Sequence, residues 1–455
     1  MKTITAISTP AGTGGIAVIR LSGPDAVAIA DRAWRGRPLA DARPNSALFG
    51  RFLAADGSTL DECVATVFRA PHSFTGEDTV ELSVHGSPWI QREVLQRLID
   101  LGAAPAGPGE FSQRAFMNGK MDLAQAEGVA DLIAASSRAA HRLAMTQVSG
   151  SFSRRLDQLR EQLVTLASLL ELELDFSEED VEFADRDRLR TLTDDAIREI
   201  VKIVNSYSTG RALKEGVPVV IAGEPNSGKS TLLNALLGEE KAIGSDIPGT
   251  TRDVIEDTVE IDGILFRLFD TAGLRDTADR VERIGIDRAQ DQLQRASIIL
   301  WTSTPHHQPS TPHHPLPTQL LLHTKCDLHA EKQSATHEGG ASLMADEASD
   351  RMPELRISAK TGEGMEALKK AMVRAAKGEG RDDADIILTN LRHKTALEAG
   401  AAALKRVRAA LTDGTYIDLI AQDLREALHH IGTVTGAITT PDLLTQIFTH
   451  FCIGK

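Results

Sequence analysis

The chain is poor in aromatic residues, 4% of its 455 positions. Few rings are therefore available on which nucleic-acid bases could stack over an extended surface. No stretch approaches the roughly 18 consecutive apolar residues that a membrane-spanning helix needs. The three cysteines, Cys63, Cys326 and Cys452, are far apart. Neither a disulfide framework nor a cysteine metal site is indicated, and a reducing compartment is expected. Positive charge is not in excess either: 50 Lys and Arg against 64 Asp and Glu leave a net −14. That balance argues against a protein that grips nucleic acid unaided over a large area, though not against a local basic patch or a basic partner. The first residues, Met1 to Arg20, lack the apolar core of a signal peptide, and the cytoplasm is the expected location.

What is present is ordinary globular composition, 42% hydrophobic and 25% charged, in a length that predicts two to four domains. Residues 1 to about 118 read as mixed α/β. Val64 to Phe68 and Thr79 to His85 alternate as half-buried strands do, and Ile90 to Leu101 carries a helical apolar face. A further helix is expected at Asp25 to Trp34, and a loop at Pro105 to Gly109. From about 119 the pattern turns to long helices. Leu156, Leu159, Leu163, Leu166, Leu170 and Leu174 recur at steps of three and four, the stripe of a bundle helix. A second helical block fills about 385 to 449. Two helical blocks around an α/β stretch suggest one bundle interrupted by an inserted domain, with seams at Gly210 and Gly378 to Asp385.

The insert, about 212 to 380, alternates strands and helices as a doubly wound fold does. Its strands are expected at Val217–Ala222, Val254–Ile261, Ile264–Phe269, Ser297–Trp301, Gln319–His323 and Glu354–Ile357. A Pro/His tract, Thr304 to Pro315, interrupts it. Its histidines suit a metal, but the prolines impose an extended loop and no acidic or Cys ligand joins them, which favours a solvated loop.

Between the first strand and a helix-forming run lies Gly223-Glu224-Pro225-Asn226-Ser227-Gly228-Lys229-Ser230, a G-x-x-x-x-G-K-S loop. In that context the glycines let backbone N–H groups face phosphate oxygens, Lys229 reaches the β/γ-phosphates, and the Ser230 hydroxyl suits Mg²⁺. Its companions follow in order: Gly249-Thr250-Thr251-Arg252-Asp253, Asp270-Thr271-Ala272-Gly273, Thr324-Lys325-Cys326-Asp327 and Ser358-Ala359-Lys360. Asp270 can hold Mg²⁺ through water, Thr251 can complete the metal shell, and Asp327 can accept both N–H groups of a guanine. Leu274 stands where Ras-like enzymes place a water-orienting Gln, so Asp276, Asp279 and Glu282 are the candidates for that role. Arg252 and Arg275 are available as cations. The five elements together resemble the GTPase family of P-loop proteins, with one departure: Thr324 replaces the Asn of the usual N-K-x-D.

Longer motifs narrow the resemblance. They are Gly14 to Gly23, Ser73 to Asp78, Gly107 to Ser112, Lys120 to Glu127, Asp270 to Gly285 and the terminal Phe451-Cys452-Ile453-Gly454-Lys455. These resemble the MnmE (TrmE) family of tRNA uridine-modifying GTPases over essentially the whole chain, apart from the Pro/His tract and the segment after Asp327.

The resemblance implies a multidomain α/β plus all-α fold. Its parts would be an N-terminal folate-binding and dimerisation domain (1–118), a helical domain (119–211 and 381–455) and an inserted Ras-like G domain (212–380). It implies a K⁺-stimulated GTPase. With the flavoprotein MnmG (GidA), which carries FAD, such a protein places a carboxymethylaminomethyl or aminomethyl group on C5 of the wobble uridine of certain tRNAs. A homodimer, and a heterotetramer with the flavoprotein, are the implied assemblies.

Carried over by position, GTP would lie on residues 226–231, 245–251, 270–273, Thr324, Lys325, Asp327 and residues 358–360. Those stretches include Thr231, Ser245, Asp246, Ile247 and Pro248. Mg²⁺ would sit on Ser230 and Thr251. K⁺ would sit on Asn226, Ser245, Ile247 and Thr250, in the electrostatic role of an arginine finger. Glu282 matches the water-orienting carboxylate. A 5-formyl- or methylene-tetrahydrofolate would contact Arg20, Glu81, Lys120 and Lys455, and Cys452 has no role that spacing can assign. The competing reading is a ribosome-assembly GTPase switch with the same G domain, against which the N-terminal third and the Phe451–Lys455 ending argue.

Overall fold

A computed structural model of the chain describes residues 1–175, 186–223, 226–239, 256–270, 293–303, 318–327, 353–377, 386–413 and 416–454. Contacts divide the chain into two compact units. One comprises Met1–Ala134, Met145–Ile197 and Ala399–Lys455, the other Ala135–Ala144 and Arg198–Glu398.

The first unit opens with β1 (Ile4–Ile7), β2 (Ile16–Ser22), α1 (Ala26–Arg32), β3 (Trp34–Arg35), β4 (Ser46–Leu53), β5 (Thr59–Phe68), β6 (Thr79–His85), α2 (Pro88–Asp100) and β7 (Ala104–Pro105). The strands form a seven-stranded sheet in the order β3-β4-β5-β6-β2-β1-β7. Only the β1–β7 pair is parallel. Alternation decides which residues face the helices. Ala17, Ile19 and Leu21 of β2 and Val80, Leu82 and Val84 of β6 are buried in one core with Val27, Ile29, Val94 and Leu98 of α1 and α2. The intervening positions, Val18, Arg20, Glu81, Ser83 and Thr66, lie on the opposite face and are half-buried.

Helices follow: α3 (Glu110–Met117), α4 (Leu123–Ala134), α5 (Arg138–Val148), α6 (Ser151–Asp175) and α7 (Arg186–Asn205). The start of α4 is fixed by a reciprocal cap. The Gln125 N–H donates to Asp122 Oδ1 at 2.8 Å, and the Asp122 N–H donates to Gln125 Oε1 at 2.9 Å. The leucine stripe of α6 is buried as its spacing predicts: Leu156, Leu159, Leu163, Leu166 and Leu170 are at most 3% exposed.

In the second unit α8 (Tyr207–Glu215) leads into β8 (Val217–Gly223), α9 (Lys229–Glu239), β9 (Glu256–Ile261), β10 (Ile264–Asp270), β11 (Ile298–Ser303), β12 (Thr318–His323), β13 (Glu354–Arg356) and α10 (Met365–Lys377). The sheet order is β13-β12-β11-β8-β10-β9. All pairs are parallel except β9 with β10. Strands β8 and β11 are buried almost continuously, as central parallel strands covered on both faces must be. The chain leaves β8 in one direction to reach β10 and in the other to reach β11. That reversal places a crevice at the carboxyl end of β8, where open α/β sheets bind ligands.

Gly210 was expected to mark a domain seam. It lies within α8, and a Cβ there would collide with the Leu388 carbonyl of the returning chain. The Leu388 N–H donates to Ser206 Oγ at 2.8 Å, so this helix is the support on which the strandless segment 386–390 rests. Gly378 to Asp385 and the Pro/His tract fall outside the described residues.

The first unit is completed by α11 (Leu391–Asp413), which enters it at Ala399, and by α12 (Ile417–Thr435) and α13 (Pro441–Phe448). α12 packs along α6 with Ile420, Leu424, Ala427 and Ile431 buried. Arg406 of α11 is tied to Asp423 and Glu426 of α12 at 2.7 Å each.

Candidate functional site

The glycine loop is shaped by positions that tolerate little else. Gly223 ends β8 with φ +149°, and a Cβ there would collide with Thr302 of the neighbouring β11. Asn226 and Gly228 also take positive φ, +62° and +91°, which turns the chain so that α9 begins at Lys229. The helix start presents its first-turn N–H groups and positive dipole end toward the crevice. Lys229 is 8% exposed, with its ammonium donating to the Gly223 carbonyl at 3.0 Å. This is an anion cradle: turned backbone, a helix N-terminus and a near-buried cation converge on one point.

Hydroxyl groups beneath the loop hold it to the sheet. Thr302 Oγ1 donates to the Ala222 carbonyl at 3.1 Å, so the Ser227 hydroxyl, 2.6 Å away, donates to Thr302. Thr324 Oγ1 donates to the Ser227 carbonyl at 2.7 Å and lies 3.2 Å from the Ser303 carbonyl. Ser227, Thr302 and Thr324 are 2%, 1% and 5% exposed. Leaving such a buried carbonyl unpaired costs about 1–3 kcal/mol, so these hydroxyls decide where the loop sits. Thr302 was not singled out from sequence. Its signal there is a lone polar residue near the carboxyl end of an apolar parallel strand.

The segment after β12, expected from sequence to contact a guanine, lies against the loop. Lys325, at φ +60°, donates through Nζ to the Asn226 carbonyl at 2.9 Å. Asp327 Oδ1 accepts the Ser358 hydroxyl at 2.8 Å, which fixes the carboxylate. The Ser358 N–H donates to the Glu363 carbonyl, so a backbone donor for a ligand carbonyl comes from Ala359 or Lys360 rather than Ser358. Asp270 closes β10 in register with Ile221 of β8, two residues before Gly223. Of the expected GTP, Mg²⁺ and K⁺ positions, Ser245, Asp246, Ile247, Pro248, Gly249, Thr250, Thr251, Thr271, Ala272 and Gly273 lie outside the described residues. So does Glu282, with Asp276 and Asp279. The cradle and the fixed Asp327 fit a guanine nucleotide; of the metal positions, Ser230 and Asn226 alone are described, at the helix start and in the loop.

A second cluster occupies the half-buried face of the first sheet. Arg20 and Glu81 are cross-strand partners in register, joined at 2.8 Å and with side chains 19% and 26% exposed. The Arg20 guanidinium also lies over the Phe74 and Phe111 rings, 5.4 and 5.6 Å from their centroids. Next to it, Arg114 bridges Glu77 at 3.1 Å and Glu110 at 2.7 Å. Glu77 in turn accepts from Ser22 at 2.7 Å. Lys120 donates to the Pro71 carbonyl at 2.9 Å.

The chain's end packs against the segment after β1 and the loop before α3. Ser8 donates to the Gly454 carbonyl at 3.0 Å, and Ile453 bridges Pro108. Lys455 is outside the described residues. Cation, carboxylate and aromatic walls suit a flat ligand bearing carboxylates and an N–H edge. Phe74 and Phe111, the walls, were part of motifs quoted from sequence but not recognised as contacts.

Burial dominates two acids elsewhere in this unit. The Cys63 thiol, behind the sheet and 3% exposed, is pushed up to about 12 by burial first and by the adjacent Asp61 second. Burial likewise raises the Asp122 carboxyl above the usual carboxylate range, against its hydrogen bonds. Cys452 is exposed.

Two family models match this chain: the GTP-binding protein TrmE N-terminus over residues 3–120, and the MnmE helical domain over residues 123–452. The tRNA modification GTPase MnmE of Parabacteroides distasonis is 47% identical over 469 residues, covering 100% of both chains. That of Bacteroides fragilis (strain YCH46) is 46% identical over 469 residues, covering 100% of this chain and 99% of the other. That of Porphyromonas gingivalis is 45% identical over 478 residues, covering 100% and 98%. Matched end to end at this identity, the chain belongs to the family of the tRNA modification GTPases MnmE.

Proposed function

We propose that the protein is a K⁺-stimulated GTP hydrolase that modifies C5 of the wobble uridine in certain tRNAs. The added group would be carboxymethylaminomethyl or aminomethyl, placed together with a flavoprotein partner of the MnmG (GidA) type that brings FAD. End-to-end similarity to relatives named for tRNA modification and GTP hydrolysis carries this reading. It also disfavours the ribosome-assembly switch, which shares only the G domain.

In this reading Asp327, held by Ser358, takes the guanine N–H groups, and Lys229 with the α9 N-terminus takes the phosphates. Ser230 and Thr251 would ligate Mg²⁺; Asn226, Ser245, Ile247 and Thr250 would ligate K⁺. The two cations supply positive charge against the charge that develops on the transferring phosphate. Glu282 holds and orients the attacking water. On the first unit, Arg20 and Lys120, with Lys455, face folate carboxylates, and Glu81 faces the pterin N–H edge. The N-terminal domain makes the homodimer, the flavoprotein completes a heterotetramer, and the whole works in the cytoplasm. The net charge of −14 leaves much of the grip on tRNA to that partner.

GTP turnover by the full chain in K⁺ and in Na⁺ tests the first half: turnover should be faster in K⁺ by an order of magnitude or more, about 1.4 kcal/mol of barrier. The Glu282→Ala variant should bind GTP but lose most turnover. Nucleoside analysis of tRNA from a strain lacking the protein tests the second half. Intact C5-modified wobble uridine there would defeat the proposal.

A further inference from the structure

The residue that departs from the family pattern, Thr324, has a geometry that assigns it a different job from reading the base. The residue is 5% exposed, and its hydroxyl points to two main-chain carbonyls, Ser227 O at 2.7 Å and Ser303 O at 3.2 Å. A hydroxyl carries one hydrogen, and both neighbours are acceptors, so that hydrogen is committed to the phosphate loop. What Thr324 has left is lone pairs. The N7 and O6 atoms of guanine are acceptors too, so Thr324 has nothing to offer that edge of the base. An Asn amide carries two hydrogens and could serve the loop and one base acceptor together.

We propose that in this protein Thr324 is a positioning residue that latches the phosphate loop to the β11–β12 sheet edge, at the cost of the side-chain contact to guanine N7. The latch does not act alone. The Ser227 hydroxyl is anchored by Thr302 at 2.6 Å, and Lys325 holds the Asn226 carbonyl at 2.9 Å. The loop is thus suspended from β11 and from the segment that follows β12, and its position does not require the base to be bound. Guanine recognition then rests on the opposite edge, where Asp327 is fixed by Ser358 at 2.8 Å and accepts from the base N–H groups. Two consequences follow. The site keeps its choice of guanine over adenine, because Asp327 makes it. It releases GDP more readily than the same site with Asn would, because one base contact is missing.

This inference rests on the GTPase reading, and the experiment separates the two. Displacement of N-methylanthraniloyl-GDP from the full-length protein is measured with GDP, 7-deaza-GDP and ADP as competitors. Wild type should bind GDP and 7-deaza-GDP within about twofold of each other, since no donor reads N7. The T324N variant should favour GDP over 7-deaza-GDP by about fivefold or more and release labelled GDP correspondingly more slowly. The T324V variant, which keeps the shape and loses the hydrogen, should release nucleotide about tenfold faster, and T324S should restore the wild-type rate within about threefold.

A wild-type protein that prefers GDP to 7-deaza-GDP by fivefold overturns the lost contact, and that comparison needs no variant. A T324N protein that gains no such preference also counts against it, and T324V releasing nucleotide at the wild-type rate overturns the latch. Should ADP displace the label as well as GDP does, it is the guanine-nucleotide reading that fails.

Discussion

Arg20 is held between a carboxylate and two rings, and each neighbour restrains a different freedom of its guanidinium. Glu81 fixes its charge at 2.8 Å, while Phe74 and Phe111 restrict its plane. At this exposure the ion pair itself contributes no more than about 1 kcal/mol to stability, so its chief effect is to present a preset cation on a half-buried face. Arg20→Ala is therefore expected to leave the fold intact and to weaken binding of a formyl-folate about tenfold or more. An unaltered titration would discard the assignment.

The cysteines separate by burial. Cys63 should resist alkylation in the native protein at pH 8, and Cys452, exposed, should label; peptide mass mapping after brief iodoacetamide treatment distinguishes them. The raised Cys63 value also has a sign. The folded state keeps the thiol protonated up to about 12, whereas the unfolded thiol ionises near the ordinary value of 9.0. Its contribution to stability is thus complete below the unfolded value and is lost as pH rises from there toward 12. Cys63→Ala should flatten the fall of the unfolding free energy in that alkaline window.

Elements differ in how they were written into the chain. Asp122 and Gln125 close a reciprocal cap on α4, and Asp122→Ala should cost about 1 kcal/mol, read as a lowered denaturation midpoint. Because burial raises the Asp122 carboxyl, the charge itself is disfavoured in the fold. Asp122→Asn, which keeps the cap without the charge, should cost less than Ala or nothing. Gly210→Ala acts differently, by driving a Cβ into the Leu388 carbonyl. Steric conflict with main chain cannot be relieved by a rotamer, so a loss of about 2 kcal/mol or more is expected by urea titration.

The buried parallel strands β8, β10, β11 and β12 stood out as apolar runs and appear within one or two residues of their expected limits. β4 did not, because it mixes exposed Phe49 and Arg51 with Gly50, whose bare Cα lets the Trp34 ring lie against it. The place of Gly210 inside a helix has no local signature in the sequence. Its reason is a segment some 180 residues away in sequence, Leu388. The phosphate loop was legible because its chemistry is consecutive. The hydroxyl of Thr302 beneath it was not, because only pairing of β8 with β11 brings it there.

At the scale of the molecule, the first unit is closed by its last residues. Phe451 packs against Phe448 with the rings tilted at 55° and centroids 5.1 Å apart, and its N–H donates to the Phe448 carbonyl. The Cys452 carbonyl accepts from Gly109 at 3.4 Å, Ile453 bridges Pro108, and Ser8 donates to the Gly454 carbonyl. Gly109 has φ +62°, and a Cβ there would stand 2.9 Å from both the Phe448 carbonyl and the Phe451 side chain, so the loop before α3 is shaped to receive this segment. It ends against β1, whose Ala6 is the cross-strand partner of Arg20. The last residues of the sequence therefore pack against the end of the strand that pairs with the Arg20 strand.

Deleting residues 451–455 should leave affinity for GDP within about twofold, since every described element of the nucleotide cradle belongs to the other unit. It should weaken formyl-folate binding at least about tenfold although Arg20, Glu81 and Lys120 are untouched. Adding back only the packing residues, in a chain ended after Gly454, separates the two contributions. If that chain binds folate as the full length does, the segment acts by holding β1 and the Gly107–Gly109 loop in place. If it binds as the shorter deletion does, the terminal Lys455 carries the contact itself. Full-length affinity in the 451–455 deletion would show that the segment is no part of the site.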